Sequence, residues 1–186
     1  MRYLASPAQL RASLLRWSLF TVPLVLALGF LSGRSAGSGP DNPWFAALTK
    51  PGLYPPPATF GIVWTVLYVL MGVALAMVLS ARGARGRGLA VAAFVVQLAL
   101  NLAWSPVFFG LHRIAFALGI IGALALALAV TIALFWRVRP LAAGLLLPYL
   151  AWVCFASLLN WQLLALNPGA DGASSAGATV RVQLAH

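Results

Sequence analysis

The sequence predicts an all-α, polytopic membrane protein: a bundle of five transmembrane helices. Three observations predict it. Apolar residues make up 62% of the 186 residues and charged ones only 8%, a composition outside the range of soluble domains. Long apolar runs alternate with short connections that hold nearly all of the Arg and Lys. The only acids, Asp41 and Asp171, fall in a connection and in the tail, so no span carries a carboxylate.

These features exclude several classes of function. The net charge of +10 does not indicate nucleic-acid binding, because the Arg residues are scattered among connections and form no basic stripe. Spans without Asp or Glu argue against a proton-coupled pump and remove most general acid–base chemistry. A single cysteine, Cys154, excludes an internal disulfide and a Cys-cluster metal site. Cys154 reads as a small core residue. His112, in a short turn beside Arg113, reads as solvated. No catalytic residue and no metal site is expected.

Along the chain, residues 1–13 read as a mobile basic lead. The first span is expected at about 14–33, where Pro23 kinks the helix or sits near its first turn. A cleaved leader is the competing reading, but the apolar core is long for one. Residues 34–57 form a long first loop, in which Asn42 can cap a short helix that Pro43 begins. A loop of this length with an apolar helix of its own suits a lid, with Trp44 and Lys50 in it; a headgroup anchor is the plainer role for Trp44, as for Trp17 and Trp136. Further spans are expected at about 58–81, 88–109, 114–136 and 141–166, followed by a flexible tail from 167 to 186. In the fourth span Ala115, Gly119, Ala123 and Ala127 form a small-residue ridge for close helix contact, within one bundle or between two chains. Eight of the twelve basic residues fall on the amino-terminal side. That bias places the amino terminus in the cytoplasm and the first loop and tail outside.

The chemistry concentrates in the third span. Gln97, Asn101, Trp104 and Phe108 are spaced to share one helical face, which must point into protein or a cavity because lipid penalises exposed amides. Pro106 frees the carbonyl of Leu102 and bends the helix near Trp104. Trp64, Tyr68 and Met71 share a face of the second span; Pro148, Tyr149, Trp152, Ala156 and Leu159 share one of the fifth. Polar tips among flat rings suit a flat, mostly apolar ligand. The plainer alternative is that the amides only bond neighbouring helices.

Four blocks then resemble the translocator protein / tryptophan-rich sensory protein (TspO/MBR) family, over most of the chain. They are Trp44-Phe45-Ala46-Ala47-Leu48-Thr49-Lys50-Pro51 with Pro55-Pro56; Val63-Trp64-Thr65-Val66-Leu67-Tyr68-Val69-Leu70-Met71-Gly72; Gln97-Leu98-Ala99-Leu100-Asn101 with Ala103-Trp104-Ser105-Pro106-Val107-Phe108-Phe109-Gly110; and Pro140-Leu141-Ala142-Ala143, then Pro148-Tyr149-Leu150-Ala151-Trp152 and Leu159-Asn160. The resemblance implies a homodimeric five-helix bundle in lipid, with a pocket under the first loop. It implies a tetrapyrrole ligand, protoporphyrin IX or haem, and no obligatory cofactor. It also implies pocket roles for Trp64, Tyr68, Asn101, Trp104, Phe108, Trp152, Ala156 and Leu159, with Phe60, Gly61 and Val63 at the entry of the second span. Lys50, Arg34 and Arg113 are the cations near the loops that the ligand's acid groups could reach. Three departures stand out. Gly52 and Leu53 replace a Trp of the first loop, Phe116 replaces a Trp of the fourth span, and Trp161 and Ala165 replace the Tyr and basic residue of the animal cholesterol motif. Sensing or porphyrin handling is the expected role; light-dependent porphyrin breakdown and transport of porphyrin or sterol-like lipophiles are the alternatives.

Overall fold

The computed structural model describes residues 7–173. It is all-helical: α1 (Pro7–Ser35), α2 (Pro43–Ala47), α3 (Pro57–Ser80), α4 (Arg87–Ser105) with a π-helical turn (Pro106–Gly110), α5 (Ile114–Val138) and α6 (Pro140–Leu166). All but α2 are long and apolar enough to cross a membrane. Pro7, Pro57 and Pro140 each open a helix, where the missing N–H costs nothing. α1 begins at Pro7 rather than near residue 14, so residues 7–13 belong to the helix and only the start of the expected basic lead lies outside the described residues. Pro23 falls inside α1, not in its first turn.

α1 packs chiefly on α3, α3 also on α6, and α5 between α4 and α6. The α1–α3 seam is close at Gly72. A Cβ there would lie 2.6 Å from Val22 Cα, so only glycine admits the approach. The Thr21 hydroxyl donates across the seam to the Gly72 carbonyl at 2.7 Å, with the Trp17 carbonyl as a second acceptor at 2.9 Å.

Pro106 acts on α4 as its chemistry requires. With no N–H of its own, it leaves the Leu102 carbonyl without a helical donor. Ser32 of α1 supplies one, its Oγ lying 2.6 Å from that oxygen. The chain continues as a π turn, the Leu111 N–H reaching the Pro106 carbonyl at 2.9 Å. This turn carries Val107 and Phe108 into the interior.

The first loop, the turn at 110–113 and the start of the tail meet at one end of the bundle. The Asn167 carboxamide pairs with the backbone of Thr49, accepting from its N–H (2.8 Å) and donating to its carbonyl (3.0 Å). The Gly172 N–H donates to the His112 carbonyl at 2.8 Å, and Asp171 Oδ1 accepts from the Ala115 N–H at 3.2 Å. Residues 167–173 are therefore fastened to the bundle, contrary to the expectation of a flexible tail from 167; the rest of that tail lies outside the described residues.

Several outward faces correct the sequence reading. Cys154, expected in the core, is exposed on α6. Pro148 is exposed while its neighbour Tyr149 is fully buried. Ala115, Gly119 and Ala123 of the small-residue ridge face outward and only Ala127 is half-buried, so most of the ridge does not pack within the bundle.

Gly72→Ala is expected to lower the unfolding midpoint in detergent, by an amount equivalent to about 1–3 kcal/mol of overpacking. Gly119→Ala, whose added Cβ meets nothing within 4 Å, is expected to be neutral or mildly stabilising. Equal midpoints for the two variants would contradict the tight α1–α3 seam.

Candidate ligand-binding cavity

At the centre of the bundle, the Asn101 carboxamide of α4 joins two phenols. It accepts from the Tyr68 hydroxyl of α3 at 3.2 Å and donates to the Tyr149 oxygen of α6 at 2.9 Å. Three helices are thus tied by one buried amide, which avoids the penalty of leaving it unpaired. Gly29 of α1 lies against the Tyr68 ring so closely that a Cβ there would meet it at 2.2 Å. One turn further along α4, the Trp104 indole donates to Asn160 Oδ1 at 3.1 Å, and Asn160 Nδ2 donates to the Ile114 carbonyl at 3.0 Å. Gln97 shares the inward face and is fully buried, yet neither of its amide atoms has a partner.

Above this layer lies a cavity of about 610 Å³, within the size range of small-molecule sites. Its walls include Phe60, Trp64 and Tyr68 of α3, Asn101, Trp104 and Phe108 of α4 and its π turn, and Trp152, Ala156 and Leu159 of α6. Of the pocket residues expected from the sequence, all but Val63 therefore meet around one space. The rings contact one another along the wall. Trp104 stacks on Phe108 with centroids 4.8 Å apart, Trp64 lies 5.3 Å from Tyr68, and Phe60 meets Trp152 edge-on at 5.8 Å. The Trp152 Nε1–H is buried without an acceptor.

The loop closes one end of the cavity. Asn42 caps α2 by accepting from the Phe45 N–H at 3.0 Å. Phe45 then faces the cavity, while Trp44 points away from it. Trp44 is neither cavity wall nor headgroup anchor. It is buried, stacked on the His112 ring at 4.4 Å and edge-on to Phe108 at 5.5 Å. His112 is correspondingly half-buried rather than solvated, its Nδ1 lying 2.9 Å from the Ala173 carbonyl. Lys50 also lies outside the cavity lining. Its ammonium donates to the Leu48 carbonyl at 2.9 Å and to the Phe45 carbonyl, and sits 4.2 Å from the Phe45 ring centroid. A cation on the last carbonyls of α2 complements the helix end. Burial lowers the Lys50 pKa below the ordinary lysine value.

Of the three cations considered near the loops, Arg34 lines the cavity, and so do residues that the sequence reading left out of the site, among them Phe45, Tyr54, Phe109 and Asn160. Asn160 had a signal, an amide within an apolar run next to Leu159. Tyr54 fills the position nearest the missing loop Trp, stacking on Phe60 at 5.2 Å; burial raises its pKa. Gly52 itself has nothing within 4 Å of where its Cβ would be. The other departures are remote, since Phe116, Trp161 and Ala165 are exposed on outer faces.

A five-span membrane protein with an aromatic cavity, roofed by its own first loop, is the class these features define. The comparisons carry this further. The TspO/MBR family pattern matches residues 21–166. The chain is 40% identical over 148 residues to the tryptophan-rich protein TspO of Chlorobaculum tepidum, covering 79% of this chain and 93% of that one. It is 40% identical over 149 residues to the translocator protein of Sus scrofa, covering 77% and 86%. It is 39% identical over 127 residues to protein CrtK of Rhodobacter capsulatus, covering 68% and 79%. The chain belongs to the TspO/MBR family.

The two amides of α4 are expected to respond oppositely to substitution. Asn101→Leu strands the Tyr68 and Tyr149 hydroxyls and should cost about 1–3 kcal/mol. Gln97→Leu removes an unpartnered buried amide and should leave stability unchanged or raise it. Thermal unfolding in detergent checks this, and the reverse order would refute the hydrogen-bond assignment.

Proposed function

We propose that this membrane protein binds a tetrapyrrole, protoporphyrin IX or haem, and acts as a sensor or regulator or in porphyrin handling. The observation that carries the reading is the cavity itself: a largely apolar space walled by indoles from three spans, with few polar atoms held in fixed places. Flat rings stack on a flat macrocycle, and a small number of polar groups orient it. The name of one relative, the tryptophan-rich sensory protein of Cereibacter sphaeroides, fits a sensory role.

The same reading takes the protein as a homodimer, with the outward ridge of α5 free for a second copy, and orients the amino terminus to the cytoplasm by the distribution of Arg. In this orientation the roofed end of the cavity faces outside.

Titration of the purified protein with protoporphyrin IX is expected to quench Trp fluorescence saturably. Trp64→Phe and Trp152→Phe should each weaken binding by about three- to tenfold, because a phenyl ring offers less stacking area than an indole. Quenching that never saturates, or that is indifferent to both substitutions, would contradict the proposal.

A further inference from the structure

A tetrapyrrole carries carboxylates, and three cations stand near the loop end of the bundle: Arg34, Lys50 and Arg113. The structure separates them. The ammonium of Lys50 is taken up by the carbonyls of α2. Arg113 lies against the tail, its Cδ 3.8 Å from where a Gly172 Cβ would be, and is not part of the cavity wall. Arg34 does line the cavity, and it is the only charged side chain that does so among the described residues.

Local geometry holds Arg34 at the rim. α1 ends in a paired turn: the Ser38 N–H donates to the Gly33 carbonyl at 3.0 Å and the Gly37 N–H to the Arg34 carbonyl at 3.1 Å. Gly37 takes the left-handed conformation this ending needs, at φ +62°. Ser38 is thereby brought to the same rim and also lines the cavity. Neither the Arg34 guanidinium nor the Ser38 hydroxyl has a hydrogen-bond or ion-pair partner among the described residues. A fork of N–H donors and a hydroxyl beside an apolar, aromatic space form a receptor for an amphiphilic anion.

We propose that Arg34 is a specificity-determining residue: it takes one carboxylate of the ligand at the cavity mouth while the ring system lies among the indoles. The inference rests on the tetrapyrrole reading and adds to it a selection for the acid over neutral analogues. An anionic lipid phosphate has the same appeal to a guanidinium at a membrane surface, so the test separates the two.

The protein in detergent is titrated with protoporphyrin IX and with its dimethyl ester, which keeps the macrocycle and removes the charge. Wild type is expected to prefer the diacid by about tenfold, the scale of one charge-assisted hydrogen-bond set at an accessible site. In Arg34→Gln the preference falls to about unity, while the ester binds as in wild type and so reports an intact cavity. Arg34→Lys keeps part of the preference, as a point charge without the fork. Equal binding of acid and ester by wild type, or an undiminished preference in Arg34→Gln, would overturn the inference and leave the tetrapyrrole reading standing. Loss of the wild-type preference on adding phosphatidylglycerol would assign the guanidinium to lipid and overturn it too. Binding of neither compound would overturn both.

Discussion

The carboxamide of Asn101 holds the interior of this protein together. Within a membrane the apolar surfaces of helices gain nothing by leaving lipid for one another, so packing and polar contacts decide which faces meet. Asn101 uses its oxygen for Tyr68 and its amide for Tyr149, and so fixes α3 and α6 relative to α4. The aromatic wall is built outward from that point. Trp64 meets both tyrosine rings, tilted against Tyr68 at 5.3 Å and edge-on to Tyr149 at 6.1 Å. The floor of the cavity is therefore polar in its fastenings and apolar in its surface, which suits a flat ligand without exposing an unpaired amide to it.

The far end of the cavity is held by backbone geometry. Pro106 converts the end of α4 into a π turn, and Ser32 accommodates the carbonyl so released. That turn presents Phe108 and Phe109 to Phe45 of the loop helix, with centroids 6.0 and 5.1 Å away. Trp44, His112 and the first residues of the tail back this contact from outside the cavity. The loop is thus a packed roof, pinned at Thr49 by Asn167, rather than a strand of solvent-exposed chain.

Much of this was legible in the sequence where polar residues interrupt apolar runs. The spacing of Gln97, Asn101, Trp104 and Phe108 identified an inward face because exposure of an amide to lipid is so costly, and the structure buries that face. Where residues are apolar the signal fails, for lipid and protein interior accept the same side chains. Cys154 and Pro148 were for that reason assigned to the wrong side of α6. The burial of Trp44 needed knowledge that His112 and Phe108, distant in sequence, share its end of the bundle. Nothing in the order of residues distinguished Arg34 from Lys50 and Arg113 as the cation at the cavity; that depended on how α1 ends and where α2 sits. Tyr149 lay on a recognised face, but its tie to Asn101 became visible only with the neighbours of α4 in place.

The most direct test of the account is an experimental structure of the protein with protoporphyrin IX bound. The macrocycle is expected inside the cavity, among Trp64, Trp104 and Trp152, beneath Phe45. Porphyrin found only on the outer, lipid-facing surface, with that cavity empty, would contradict it.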